Sequence, residues 1–474
     1  MNGATADPEA IEAPPSVVPA ASSELPIDLD SAMRLAASAN PTIAIANEAI
    51  RLSQSEQLQA RALLLPTLAA GLNYHEHDGT LQSSSGIIRD LDSRAFFVGA
   101  GAAAFATTTI PGVRIYAHLG DAIFEPLAAR QRVANRTYNA SATCNSVMLD
   151  VAERYLALAA AEQRLAAAKL SDREFAEVAR LTANFAKAGQ GRTSDAERAQ
   201  SESLLLRDEI DRQQEAVAVA SADLVQILSL DPTVRLHSAG GGLSPIVLVS
   251  SDCSLDSLLK FARTNRPEVA AAWAAIEEAR TRVRQEKVRP FLPLISVGVS
   301  SGDYGGGSNL AGYSFDHFAG RTDFDVLAVW NVQNLGIGNL ARVRTSRAVV
   351  GEAIAEQQRI LDRVSREVAE AFALIQAWRI EMESVLRQLD TASESFKLDL
   401  MRARNIEGRP IELLNSARLL EASRQEAIQA VVEFNLAQFR LYVAIGYGCP
   451  NSTVVSEPTR QYDDTKPQTA PVPH

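Results

Sequence analysis

The stretch LDSAMRLAASANP (residues 29–41) decides the fold, because it returns as LDSLLKFARTNRP at residues 255–267. Leu, Asp, Ser, Ala and Pro coincide, and Met/Leu, Arg/Lys, Leu/Phe and Ser/Thr are similar pairs. Three further pairs follow in the same order. LPTLAAGLNY (65–74) answers LPLISVGVSS (292–301), EPLAARQRVA (125–134) answers GNLARVRTSRA (338–348), and GRTSDAERAQ (191–200) answers GRPIELLNSA (408–417). Any one pair is compatible with chance. Four in register, offset by about 213–227 residues, identify a duplicated unit.

Each unit reads as short helix, helix, strand, loop, strand, very long helix, turn, helix. The helical reading rests on period. Leu361, Val364, Val368, Ala371, Ile375, Trp378, Met382, Val385 and Leu389 alternate spacings of three and four, and Ala392 and Phe396 continue them. That 3.5-residue period is a coiled-coil seam, narrower than the stripe of an ordinary globular helix. The long helices are expected at about 126–187 and 338–405, roughly 93 and 102 Å at 1.5 Å per residue. Return helices at about 194–230 and 411–445 span roughly 55 Å, and lead-in helices at about 42–64 and 268–289 roughly 33 Å. A return helix stacked on a lead-in helix therefore nearly matches one long helix. The expected organisation is an N-terminal disordered segment (1–25), a first repeat (26–230), a mid-height linker (231–254), a second repeat (255–446) and a disordered tail (447–474).

Four segments alternate apolar and polar residues with period two. Val113, Ile115, Ala117, Leu119 and Ile123 alternate with Arg114, Tyr116 and His118; Phe324, Val326, Ala328, Trp330 and Val332 alternate with Asp325 and Asn331. Leu68, Ala70, Leu72 and Tyr74 do the same, as do Ile295, Val297 and Val299. Each is about 9–13 residues, the length of a tilted strand crossing a bilayer. Four strands cannot close a pore-sized barrel, and an open edge is not viable in lipid, so several chains must combine. The Gly/Ser-rich segments 81–111 and 302–322 are expected as long outer loops. The uncharged run 95–113 has the length of a membrane helix, but three glycines, a Thr triplet and Pro111 favour an extended loop or strand.

Composition narrows the function. The 474 residues carry a net charge of −11, 22% charged and only 6% aromatic residues, which argues against nucleic-acid binding. Three cysteines far apart in sequence exclude a disulfide-stapled scaffold and a Cys-rich zinc site. The first 25 residues contain four prolines and no apolar core of a secretory signal. No catalytic, metal or cofactor constellation stands out. His75-Glu76-His77 lacks the spacing of a helical zinc site, GDYGGGSN (302–309) has no following Lys-Ser/Thr, and the methionines are scattered. An enzyme is not expected.

The duplicated order, with Leu-Pro opening the first strand of each pair and a Gly-containing turn at the far helical tip, resembles the TolC-type outer-membrane efflux protein family over about residues 25–447. The resemblance implies a mainly α protein with membrane β: a homotrimer whose chains each give four strands to one twelve-stranded transmembrane barrel, continued by an α-helical coiled-coil tunnel in the periplasm. It implies an outer-membrane exit duct for efflux or secretion, partnered by a periplasmic adaptor, an inner-membrane pump and outer-membrane lipid. No lipid-accepting Cys lies near the N-terminus, so the lipoprotein variant is not expected.

By the same resemblance, Asp195 and Glu412 fall at acidic tip positions, and Asn415 stands where the type member carries a second acid. Three copies of Glu412 around an axis would raise one another's pKa and form a cation-preferring constriction. The plainer reading is that Asp195 and Glu412 favour their helix N-termini through the dipole; it is preferred for Asp195, and both stand for Glu412. Arg192 and Arg409 are candidate links between hairpins that hold the aperture shut. Gly189, Gly191 and Gly408 supply backbone freedom at the tip turns, the candidate adaptor-docking site. The rival reading, a non-membrane coiled-coil scaffold, has no use for four membrane-length strands.

Overall fold

The computed structural model describes residues 24–100, 103–104, 108–109, 112–239, 242–250, 252–310, 312–405 and 408–448. Most of segments 1–25 and 447–474, where disorder is expected, lies outside the described residues. Both repeats begin alike. The Asp28 carboxylate accepts the Ser31 N–H (2.6 Å) and caps α1 (Leu29–Ala39); the Ser254 hydroxyl accepts the Ser257 N–H (3.3 Å) and caps α5 (Leu255–Asn265). Proline at the first helical position then opens α2 (Pro41–Arg61) and α6 (Pro267–Val288).

The long helices are α3 (Leu119–Lys187) and α7 (Ile337–Arg404), of 69 and 68 residues, roughly 104 and 102 Å. Each turns back into a 35-residue helix, α4 (Thr193–Ile227) or α8 (Pro410–Ala444). End-to-end stacking of return on lead-in helix is visible at the waist. Asn40, opening α2, accepts the Thr42 N–H (2.8 Å) and donates its Nδ2–H to Ile227 O at the end of α4 (2.9 Å). At the equivalent position of the second repeat, Arg266 donates to Val443 O near the end of α8 (3.2 Å).

The expected α7 seam is present. Val364, Val368, Ala371, Ile375, Val385, Ala392 and Phe396 are buried, and Leu361, Trp378, Met382 and Leu389 pack beside them. Equivalent cores form in both halves: α1 and α4 pack on α3, and α5 and α8 on α7. The linker supplies β8 (Arg235–Ser238), which pairs in parallel with β1 (Glu24–Ile27). Cys144 in α3 is disulfide-bonded and Cys253 carries a free thiol; Cys449 lies outside the described residues. The cysteines thus include a cross-link that their wide spacing does not suggest.

The remaining strands form one antiparallel sheet. β2 (Thr67–Leu68) and β3 (Gly71–Gln82) follow one line, paired with β7 (Val113–His118) and β4 (Ile88–Ala100) respectively. β9 (Leu294–Ser308) carries β10 (Tyr313–Val329) on one edge; on the other it carries β7 against residues 294–299 and β4 against 301–308. β4 and β7 are therefore one strand interrupted by residues 101–112, within which β5 (Ala103–Ala104) pairs with β6 (Thr108–Thr109). Four strand paths result, as expected, but not with the expected lengths.

Segments 81–111 and 302–322 are not long loops. The first holds the end of β3 and all of β4, the second is the upper part of β9 and β10, and the hairpin connections shrink to residues 83–87 and 309–312. Glycine normally weakens a strand. Here its missing Cβ admits aromatic rings across the sheet: Phe97 lies against Gly302 and Phe318 against Gly305, where a methyl group would collide. The run 95–113 correspondingly ends β4 and begins β7. In the other direction, the strand expected to continue past residue 118 is helix. The His118 Nδ1 accepts the Gly120 N–H (3.1 Å) and starts α3 seven residues before Pro126. β10 reaches α7 through three left-handed residues, Asn334, Leu335 and Gly336 (φ 52, 56 and 89°). The buried Asn339 side chain pins that turn by accepting the Gln333 N–H (2.9 Å).

Candidate functional site: open edges, a two-faced sheet and helical tips

Across the chain the helices lie in the order α2 and α4, then α3, then α6 and α8, then α7. The sheet runs from β2/β3 through β4/β7 and β9 to β10. Among the described residues both layers end in unpaired edges on the same two sides, since β2 follows α2 and β10 leads into α7. These edges are apolar. Ile45, Leu52 and Leu58 on α2 are 71, 63 and 69% exposed, and Ile380 on α7 is 66% exposed. Large apolar side chains left in water on both outermost helices mark surfaces built to be covered.

The register puts all four apolar sets on one sheet face. Leu68 opposes Val113, Val113 and Ile115 oppose Val299 and Val297, and these oppose Phe324 and Val326. Trp330 continues that face beyond β10, donating its indole N–H to Phe291 O (3.2 Å). At the far end of the same face stands the Arg94–Glu76 ion pair (3.1 Å). The opposite face is polar: it carries Asn73, His75 and His77, Ser296 and Ser300, and the ion pairs Arg114–Asp325 (3.8 Å) and Arg321–Asp323 (2.7 Å).

Where strands become helices, a charged network ties α3 to α6. The Asp121 carboxylate accepts from Gln285 Nε2 (2.7 Å) and from both terminal nitrogens of Arg289, while Arg282 pairs with Glu125 and Arg132 with Glu278 (2.9 Å). Burial pushes the Asp121 carboxyl up, but the hydrogen bonds from Arg289 and Gln285 outweigh it and hold the group below the ordinary carboxylate value.

At the far end, the first tip turn is closed by Gln190 and Gly191 N–H groups donating to Phe185 O (3.0 and 3.1 Å), with Gly189 at φ 71°. Gly408 has φ 89° in the second turn; residues 406–407 lie outside the described residues. Gly191 needs no left-handed backbone. What excludes a side chain there is contact, since a Cβ would stand 3.1 Å from Phe185 Cβ. Arg192 and Arg409 occupy N-cap positions of α4 and α8. Both are exposed and make no ion pair among the described residues.

The two acids differ. Asp195 lies in the first turn of α4 with only 14% of its side chain exposed, 3.9 Å from Arg198. Glu412, in the first turn of α8, is exposed and makes no ion pair among the described residues, and Asn415 is exposed one turn further along. The inter-hairpin links inside the chain are other residues: Arg418 of α8 with Glu202 of α4, Arg404 of α7 with Glu177 of α3 (3.5 Å), and Arg424 of α8 with Glu174 of α3 (2.5 Å). No sequence signal singles them out among the many exposed charges, because pairing across helices depends on the packing register.

Residues 258–447, most of the second repeat, match the family model of outer membrane efflux proteins. Protein CyaE of Bordetella pertussis is 27% identical over 340 residues, 70% of this chain and 69% of that protein. The fold is shared with solved channels. The open state of the Neisseria gonorrhoeae MtrE outer membrane channel matches with a TM-score of 0.68 and 19% identity, over 89% of each chain. The Campylobacter jejuni CmeC outer membrane channel gives 0.71 and 12%, over 88% of this chain and 85% of that one. With a duplicated helix–strand plan and a sheet apolar on one face only, this chain shares the fold of these outer membrane channels, and most of its second repeat matches the outer membrane efflux protein family.

Proposed function

We propose that three copies of the chain close into a passive exit duct of the outer membrane, their sheets forming one twelve-stranded barrel and their helices a periplasmic tunnel. One observation carries this reading: sheet and helical layer end in open, apolar edges on the same two sides, and the sheet is apolar on one face only. A heterologous contact, one edge to the opposite edge, closes into a ring. Lipid then meets the face of Val299 and Phe324, and the aqueous lumen meets the face of Arg114 and Asp325. An adaptor at the tips and an energised pump in the inner membrane complete the path, and Gly189, Gly191 and Gly408 lie in the turns that would meet the adaptor.

Glu412 and Asn415 form the constriction in this reading, with Asp195 tucked against Arg198 as a helix-terminal charge. Arg192 and Arg409, without an ion pair among the described residues, are available to a neighbouring hairpin, and Arg418–Glu202 links hairpins within one chain. Single-channel recording in a planar lipid bilayer tests this. Small, cation-preferring conductance is expected, with Glu412→Gln lowering the cation preference and Asp195→Asn leaving it unchanged. Folded, inserted protein that passes no current would sink the duct, and equal effects of the two substitutions would sink the assignment of Glu412.

A further inference from the structure

The chain is acidic, yet just below the strands the balance reverses. Residues 280–289 and 337–350, the end of α6 and the start of α7, hold eight Lys and Arg against a single acid, Glu286. Part of this charge is committed to the junction network: Arg282 to Glu125, Arg289 to Asp121, and Arg342 to Glu286 (3.9 Å). The rest points elsewhere. Glu277, Arg280, Arg284, Lys287 and Phe291 recur at spacings of three and four and so share one stripe of α6, opposite the stripe of Glu278, Arg282 and Gln285 that packs on α3. Arg280 and Arg284 share the single carboxylate of Glu277 (2.6 and 3.8 Å). Lys287 and Arg347 are exposed and make no ion pair among the described residues.

Between α6 and α7 this stripe borders a groove of about 470 Å³ lined by Glu277, Arg280, Arg284 and Arg347, with Val283 and Val350 as its apolar part. The stripe that borders the groove leads up to the apolar face of the sheet. Phe291, at the top of the same stripe, is 77% exposed, and Trp330 of that face bonds to its carbonyl. Along a helix Lys287 lies about 6 Å, Arg284 about 10 Å and Arg280 about 16 Å below Phe291. Aromatic side chains stacked above exposed cations match, in order and in scale, the boundary between acyl chains and a headgroup layer several ångströms thick.

Resting on the membrane reading above, we propose that Arg280, Arg284, Lys287 and Arg347 form a binding site for the anionic headgroup of a phospholipid in the leaflet beside the helical tunnel, with Phe291 and Trp330 against its chains. Guanidinium groups suit this ligand because they engage a phosphodiester through paired N–H donors. An uncommitted excess of cations in a chain of net charge −11 supplies the attraction.

Native mass spectrometry of the detergent-solubilised protein, titrated with phosphatidylglycerol or phosphatidylcholine of the same chain length, tests the site. Wild-type protein is expected to prefer phosphatidylglycerol. Arg284→Gln combined with Arg347→Gln should weaken that lipid about thirtyfold while leaving phosphatidylcholine unchanged. The corresponding double Lys variant, which keeps the charge, should retain most of the preference. Equal binding of the two lipids by wild-type protein, an unchanged preference in the Gln variant, or equally strong competition by free glycerol phosphate would each overturn the proposal. Bilayer recordings on the same preparations separate the two readings. Channels without headgroup preference overturn this site alone, whereas folded, inserted protein without channels overturns the duct.

Discussion

The two repeats follow one backbone plan with different side-chain chemistry at matching positions, and the waist shows it best. Asn40 and Arg266 stand at the same place, after α1 and α5, and each reaches the end of its own return helix. Asn40 does so as a neutral cap with two hydrogen bonds. Arg266, 7% exposed at its side chain, does so as a buried cation held by Glu367 and by Glu268 (3.1 Å). The tips differ the other way, with Asp195 sheltered beside Arg198 in the first repeat and Glu412 open in the second. The same backbone task is therefore met by a polar cap in one half and an ion cluster in the other. What duplication preserves is where a bridge is needed, not which chemistry makes it.

The largest effect should come from breaking the cluster. Arg266→Met leaves two partly buried carboxylates without their cation and should cost about 3 kcal/mol, the low end for a buried pair because both acids keep some solvent. Thermal unfolding of the detergent-solubilised protein by circular dichroism would measure it. Asn40→Ala should cost less, about 1–2 kcal/mol, for a lost cap and one hydrogen bond. If the two losses proved equal, the contrast between charged and neutral waist would fail.

At the tips, Gly408→Ala and Gly189→Ala each force a side chain into the left-handed region and should cost about 1 kcal/mol. Protease nicking at the turns would rise in step. Gly191→Ala should be felt through contact instead, because the new methyl group meets Phe185 Cβ at 3.1 Å and the backbone of residues 185 and 186 at 3.3 Å. Beside Gly189 a methyl group meets nothing within 4 Å, so Gly189→Ala should cost backbone strain alone.

The smallest effect concerns pH. Asp121 titrates below its ordinary value of 3.8, so its contribution is complete above that value and is lost as pH falls through the depressed folded value. Asp121→Asn should therefore lower stability at neutral pH and flatten its decline below about pH 4. A decline of unchanged slope would place the acid-sensitive groups elsewhere.

Much of this was legible beforehand, for a physical reason. Hydrophobic period survives in sequence whatever packs against it, so the α7 seam from Leu361 to Phe396 and the alternation at Val113, Ile295 and Phe324 could be read directly. The strand limits could not. Glycines in 302–307 look like a loop until Phe97 and Phe318 are seen lying across them, and those rings come from other strands. Residue 118 gives no local sign of ending a strand, because the Asp121–Arg289 contact that anchors the new helix joins residues 168 positions apart.

The sequence by itself determined the duplication, the coiled-coil helices, the four alternating strands and the glycines of the tip turns, since each is a pattern of neighbours along the chain. Only the tertiary structure decided that Arg266 is buried against Glu268 and Glu367, that Arg418, Arg404 and Arg424 link the hairpins, and that Arg280, Arg284 and Arg347 converge on one groove. Such pairings depend on the rotation and axial offset of one helix against another. Those offsets are set by the whole packed core and leave no local trace in the residues they bring together.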